Sequence, residues 1–311
     1  MATNGKAGTR MKSFGTSSRI GHDSSDFYSR SLYAGSGPEE AKDSLENPVP
    51  DVALDKVLCK SSENMGELSD NCIHLMVTSP PYNVGKDYDQ NLSLKEYRQL
   101  LASVFKEVYR VLVVGGRACV NVANLGRKPY IPLHLFVVEE MQSLGFFMRG
   151  EIIWDKSSSS GTSMAWGSWQ SASNPTLRDT HEYILVFSRG NLGRHKTPDK
   201  PDSITKEEFM EFTKSIWALP AQRASAVHHP APFPVELPER LVKLYSFVGD
   251  TVLDPFIGSG TTAIAALRNG RHYVGYDNSE SYCNVAQKRV NEELRSIKRE
   301  REQTKLMPLG T

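Results

Sequence analysis

Asp250-Thr251-Val252-Leu253-Asp254-Pro255-Phe256-Ile257-Gly258-Ser259-Gly260-Thr261-Thr262, followed by Ala263-Ile264-Ala265-Ala266-Leu267, reads as strand, glycine turn and helix. Gly258 and Gly260 carry no Cβ and let the backbone approach a ligand closely, while Asp254 supplies an acceptor where the strand ends. A phosphate loop is the competing reading. No Gly-Lys-Ser or Gly-Lys-Thr is present, however, and an acid leading the turn repels phosphate, so a ligand with a cationic end fits better. The next apolar run, His272-Tyr273-Val274-Gly275-Tyr276-Asp277, ends in an acid about twenty residues after the turn, the place where doubly wound folds hold ribose hydroxyls. The alternative for Asp277 is a helix cap ahead of Ser279.

Outward from this segment the alternation of strands and helices continues. Ser93-Leu94-Lys95-Glu96 makes a capping box that opens a helix with Tyr97, Leu100, Leu101, Val104, Phe105, Val108 and Leu112 on its apolar stripe, and Gly115-Gly116 is expected to end it. Strands are expected over 117–122, 146–154 and 181–187, with a helix over 133–144 closed by Gly145. A short helix near 206–214 and a long, basic-ended helix from Ser279 follow, the latter frayed by Pro308. The pattern predicts an α/β protein with a doubly wound, mostly parallel sheet.

Far upstream, the apolar run Ile73-His74-Leu75-Met76-Val77 leads into Thr78-Ser79-Pro80-Pro81-Tyr82. Consecutive prolines fix φ and cannot donate to a sheet ladder, so the chain leaves the strand here with its carbonyls held in one orientation. A hydroxyl, two rigid carbonyls and an aromatic ring at a strand end suit a planar base bearing an amino group. The plain alternative is a proline-rich turn whose Tyr82 caps the core.

These two segments together resemble the amino-methylating DNA methyltransferases that use S-adenosylmethionine, in the circularly permuted order, called beta, that places Ser-Pro-Pro-Tyr before the cofactor segment. The resemblance runs from about Val57 to Val290 and takes in His229-Pro230-Ala231-Pro232-Phe233-Pro234 and Leu237-Pro238-Glu239-Arg240-Leu241. It implies the Rossmann-like methyltransferase fold, with Ser79, Pro80, Pro81 and Tyr82 as the catalytic segment. Toward the cofactor it implies Asp254, Pro255, Phe256, Gly258, Ser259, Gly260 and Thr261, with Asp277 and Asn278 at the ribose and His229, Phe233 and Pro234 closing the pocket. One departure stands out: the family often has Gly-Asp after its first short strand, where this chain has Cys59-Lys60-Ser61-Ser62, with Ser61 or Ser62 as the replacement.

In the family, Ser in the first position of the catalytic segment is typical of cytosine N4 methylation and Asp of adenine N6 methylation. A hydroxyl, unlike a carboxylate, can also donate, for example toward a cytosine ring nitrogen. The expected activity is therefore methylation of the N4 amino group of a cytosine flipped out of double-stranded DNA, with adenine N6 as the alternative and RNA methylation or a catalytically idle nucleic-acid-binding homologue behind it. The intact Ser79, Tyr82, Asp254 and Asp277 argue against the idle reading. Ring-carbon methylation needs a cysteine nucleophile, and no Pro-Cys pair stands in a catalytic context.

Composition bounds the rest. A chain of 311 residues with 39% hydrophobic content supports one sizeable domain, here 49–290, more readily than two. Residues 1–48, rich in small and polar residues and carrying Arg10, Lys12, Arg19 and Arg30, read as a mobile arm; 291–311 read as a charged helix end and tail. A net charge of +1 restricts nucleic-acid contact to local clusters. Two regions offer them: the Ser-rich loop 155–178 with Trp166 and Trp169, and 189–228, which corresponds by resemblance to target recognition and carries Arg189, Arg194, Lys196 and Lys200. The short recognition region is compatible with a homodimer, and the resemblance with a cognate restriction endonuclease. The four cysteines lack CxxC spacing and are read as reduced, with no metal site; no apolar stretch approaches the roughly 20 residues of a membrane span and no signal-peptide core opens the chain, so a cytoplasmic protein is expected.

Overall fold

The computed structural model describes residues 28–33, 45–82, 91–126, 128–158, 167–221 and 233–306. The chain divides into two compact units, Met1–Glu40 and Ala41–Thr311. Of the first unit only 28–33 are described, a single 3-10 turn at Ser31–Tyr33 in which the rings of Tyr28 and Tyr33 meet edge to face at 5.1 Å. Most of the arm expected at 1–48, including Arg10, Lys12 and Arg19, lies outside the described residues, as does Pro308.

The second unit is built on one eight-stranded sheet. In chain order its strands are β1 (Lys56–Cys59), β2 (Ile73–Thr78), β3 (Leu112–Val122), β4 (Phe146–Asp155), β5 (His181–Arg189), β6 (Ile216–Ala218), β7 (Thr251–Asp254) and β8 (His272–Asp277). They lie in the order β1-β8-β7-β2-β3-β5-β4-β6, all parallel except β5, which runs antiparallel to β3 and β4. The helices are α1 (Leu94–Val111), α2 (Leu133–Ser143), α3 (Lys206–Phe212), α4 (Glu236–Tyr245), α5 (Thr261–Arg268) and α6 (Glu280–Leu306). They cover both faces. α1 and α2 pack through Leu101, Val104, Phe105, Val137 and Met141 on one side, while α4, α5 and α6 pack through Leu237, Leu241, Ala263, Ala266 and Val290 on the other. Double coverage explains why β2 and β7 read as unbroken apolar runs, since every residue of β7 and all but one of β2 are buried.

α1 starts as its sequence predicts: Ser93 Oγ accepts from the Glu96 amide and Glu96 reaches back to the Ser93 amide at 2.8 Å. Its end differs from expectation. The helix stops at Val111, and Leu112, placed by its spacing on the helical stripe, is already extended and opens β3. Gly115-Gly116 do not terminate a helix. They lie inside β3, where the pairing jumps from Ile73↔Leu112 to Leu75↔Arg117, so the glycines take up extra chain in a bulge. Gly115 has φ +77, and a Cβ there would lie 2.3 Å from the Gly193 carbonyl oxygen. The local turn signal was real; the neighbouring strand decided its meaning.

The three-residue edge strand β6 carries too little pattern to read from sequence. Its Trp217 is nevertheless fully buried, and the Trp154 indole reaches past it to donate to the Leu219 carbonyl at 2.9 Å. Among the described residues no helix is long and apolar enough to cross a membrane.

The functional consequence of the strand order lies between β7 and β2. From β7 the chain crosses through α5 to β8 on one side, and from β2 it crosses through α1 to β3 on the other. Where successive connections diverge in this way, a crevice opens at the carboxyl ends of the two strands.

Candidate active site

The crevice is a cleft of about 1300 Å³, mouth included. Ser79, Pro80, Pro81 and Tyr82 form one wall directly beyond β2. Asp254 through Ser259, with Thr261, form the floor beyond β7, and Asp277 and Asn278 stand at the end of β8. Phe233 closes another side.

A buried side-chain hydrogen bond ties the two sequence segments together at the cleft, where β2 and β7 end side by side. Thr78 Oγ1, one residue before Ser79, donates to Asp254 Oδ1 at 2.6 Å, with both residues buried. The same carboxylate oxygen accepts from the Phe256 amide at 3.1 Å, which folds the chain into the turn. Burial pushes the Asp254 carboxyl up to about 6, against the pull of Thr78, Thr262 and the Phe256 amide. Such a group accepts a nearby cation more readily than a second anion.

Asp277 lines the cleft at the end of β8, and its carboxylate is held by two backbone amides. Oδ2 accepts from the Gly258 amide at 3.0 Å, and Oδ1 accepts from the Ser279 amide at 2.9 Å, capping the start of α6. Burial raises its pKa in spite of these two amides. Gly260, with φ +82, stands behind the floor at the entry to α5, where a Cβ would press on Ala286 at 3.1 Å. Pro234 lies outside the lining, and its carbonyl accepts the Leu237 amide at the approach to α4. His229 and Trp166 lie outside the described residues. Trp169 sits on a turn closed by the bridge Gly167↔Pro175 and is 64% exposed.

After β1 the sequence reading offers Ser61 or Ser62 in place of the missing pair, and it misses Glu63. Lys60, Ser61, Ser62 and Glu63 form the wall after β1, where the Gly-Asp pair was missing. Ser62 is committed to structure, donating to the Pro255 carbonyl at 2.8 Å. Glu63 places a carboxylate on this wall one residue further along; its only sequence signal was an acid close after a short strand. Behind the catalytic segment, Tyr82 donates to Glu182 Oε2 at 3.2 Å, Asn121 Nδ2 donates to the same oxygen at 2.6 Å, and Lys156 Nζ donates to Glu182 Oε1 at 2.5 Å. Glu182 and Asn121 appear in the sequence only as polar residues interrupting apolar strands. Burial, and then the Glu182 charge, push the Tyr82 pKa well above its usual value.

The basic residues expected to contact nucleic acid are placed elsewhere. β5 is antiparallel, so Arg189 at its carboxyl end lies at the opposite end of the strands from the cleft. Its guanidinium stacks on Tyr109 and donates to Asn71 Oδ1 and the Leu112 carbonyl. Arg194, with 7% of its side chain exposed, pairs with Asp250 and Glu46 and lies over the Phe247 ring; Lys200 pairs with Glu46, and Lys196 with Asp202. Glu46 is held far below the usual carboxylate range by its hydrogen bond to His74 first, with help from Lys200 and Arg194. Arg189, Arg194 and Lys200 are thus engaged by groups of the fold itself, which corrects the reading of these three as a phosphate-facing cluster, whereas Lys196 and Asp202 form an exposed surface pair. Lys200→Ala is accordingly expected to leave the salt dependence of DNA binding unchanged and to lower stability by at most about 1 kcal/mol. A lysine on a phosphate would instead reduce the slope of log K against log salt by about 0.9, which titrations at several salt concentrations resolve.

A mostly parallel sheet with one antiparallel strand, and a cleft at its switch point floored by an acid-led glycine turn, is the architecture of the methyltransferases that use S-adenosylmethionine. The N6_N4 methyltransferase family model, described as DNA methylase, matches residues 73–288, and the chain belongs to that family. Type II methyltransferase M.MjaI of Methanocaldococcus jannaschii is 32% identical over 76% of this chain and 90% of its own. TTHA0409 of Thermus thermophilus, solved in complex with S-adenosyl-L-methionine, is 31% identical with a TM-score of 0.62 over 76% of this chain and 93% of that one. The PvuII DNA methyltransferase, 20% identical with a TM-score of 0.60 over 78% and 88% of the two chains, shares the fold.

Proposed function

We propose that this DNA methyltransferase acts on the exocyclic N4 amino group of cytosine, in the permuted beta arrangement of the family. The observation that carries the reading is Ser79: it lines the same cleft as Asp254 and Asp277, and the Thr78–Asp254 bond ties its segment to the cofactor floor. When bound, S-adenosylmethionine supplies an electrophilic methyl group on a sulfonium sulfur. The acid-lined floor suits that positive charge, Phe256 and Phe233 offer apolar faces, and Asp277 keeps acceptor capacity for ribose hydroxyls.

The amino nitrogen of a nucleobase is a poor nucleophile because its lone pair is conjugated with the ring. Hydrogen bonds from the amino group to Ser79 Oγ and the Pro80 carbonyl favour a more tetrahedral nitrogen with its lone pair aimed at the methyl group. The amino group is inaccessible inside a duplex, so the base must be turned out at a cost of a few kcal/mol, part of which the Tyr82 ring offsets. The exposed ring of Trp169 supports a role for its turn in stacking on the DNA. Incubation with tritiated cofactor and mixed-sequence DNA, followed by nucleoside chromatography, tests the reading. Label on N4-methylcytosine is expected; label on adenine, or on RNA alone, overturns it.

A further inference from the structure

The hydrogen atoms behind the catalytic segment can be assigned one by one. Glu182 Oε2 lies 3.2 Å from the Tyr82 hydroxyl and 2.6 Å from Asn121 Nδ2, and Oε1 lies 2.5 Å from Lys156 Nζ. An ammonium and an amide N–H both donate to this carboxylate, so it is ionised and can only accept. The hydrogen shared by Tyr82 and Glu182 therefore belongs to the tyrosine, which has no other to give. Tyr82 also lies 3.0 Å from Ser79 Oγ, and that bond must then be donated by serine. The Asn121 amide approaches the same phenolic oxygen at 3.4 Å, at the outer limit of a bond, and it too can only donate. Tyr82 thus donates once, to Glu182, and accepts from Ser79.

We propose that Glu182 is a positioning residue for methyl transfer. Acting through Tyr82, it draws the Ser79 hydroxyl hydrogen inward, so that Ser79 presents only lone pairs to the target amino group. The inference rests on the proposed base-amino chemistry and deepens it. It also corrects one sequence expectation: with its hydrogen committed to Tyr82, Ser79 does not donate to a ring nitrogen of the base, and toward the amino group it behaves as the acceptor that a carboxylate would be. Glu182 makes no contact with the base. Its effect is exerted by fixing which way two hydroxyls point, and a buried anion of this kind does so without reorganising during the reaction.

Tyr82→Phe removes the acceptor that holds the serine hydrogen. Glu182→Gln keeps the side chain's size but turns one acceptor into a donor, which frees the tyrosine hydrogen to point back at Ser79. Single-turnover transfer from tritiated S-adenosylmethionine, at saturating cofactor and DNA, is expected to slow at least tenfold in each variant. Cofactor affinity by calorimetry should stay within twofold of the wild type. The double variant should be no more than twofold slower than the slower single variant, because both changes break one chain of bonds. Losses that multiply in the double variant, a rate within twofold of wild type in either single variant, or a parallel loss of cofactor affinity would each overturn the proposal. Tyr82→Phe preserves the packed ring, so the test does not depend on tolerance of a change at buried Glu182. If the wild-type product proves to be N6-methyladenine, the cytosine reading falls while this test proceeds unchanged, since either amino group needs the same acceptor.

Discussion

Ser79→Ala is expected to slow methyl transfer by about 10²-fold, the cost typical of removing one preorganised polar partner from a reacting centre. In the proposed mechanism Ser79 Oγ is the side-chain acceptor for the amino group, and alanine would leave the Pro80 carbonyl to act alone. The change also strips Tyr82 of a donor, which disturbs the hydroxyl chain but not the floor of the cleft. Ser79 Oγ bonds to Tyr82, whereas Asp254, Phe256 and Asp277 are tied together by Thr78 and by backbone amides, so cofactor affinity should stay within about twofold of wild type. Single-turnover kinetics and calorimetry on the same preparation separate the two effects. A tenfold loss of cofactor affinity would move Ser79 from the base to the cofactor and remove its claimed role.

The residues of this site differ in how far sequence alone revealed them, and the difference follows from the range of the interactions. The acid-led glycine turn and the Ser-Pro-Pro-Tyr segment are local: proline fixes φ, and Gly260 adopts a φ that other residues resist, so each states its conformation within a few residues. The Asp277 position is likewise legible because an apolar strand of fixed length precedes it. Glu182 and Asn121 are not. Their meaning depends on β3 and β5 lying side by side in antiparallel pairing, which places residues 61 positions apart within 2.6 Å. Arg194 and Lys200, after β5, were misread for the same reason. A basic cluster in sequence carries no sign of the acids across the fold, Glu46 and Asp250, that it neutralises. Gly115-Gly116 show the middle case, a break signal that is correct in place but whose kind is set by the partner strand.

Asp254→Asn should make the protein without cofactor more stable above neutral pH while weakening cofactor binding at least tenfold. The carboxyl is buried, and its pKa rises from the usual 3.8 to about 6, with burial the largest cause. Between these values the folded protein holds a proton that the unfolded chain has released, so this residue's contribution to stability is fully present below about 3.8 and is lost as pH rises through about 6. The gap corresponds to about 3 kcal/mol against the folded state at pH 8. Asparagine carries no charge to desolvate. Its carbonyl oxygen can keep the Thr78 and Phe256 bonds, but its NH2 then replaces the second carboxylate oxygen beside Thr262, and the loss of that acceptor returns part of the gain. A net stabilisation of roughly 1–2 kcal/mol at pH 8, falling through zero and becoming a net loss of about 1 kcal/mol near pH 4 where only the mismatch remains, is the expected outcome of urea unfolding across that range. Cofactor affinity supplies the opposing half of the prediction. A cationic ligand favours the ionised carboxylate, so wild-type affinity should fall as pH drops below about 6, whereas the asparagine variant should be weak at every pH. If Asp254 served only to shape the turn, asparagine would destabilise the fold at all pH values and the two affinities would share one pH dependence. A gain in stability paired with a loss of binding is the mark of an acid kept in an unfavourable place for the ligand it receives.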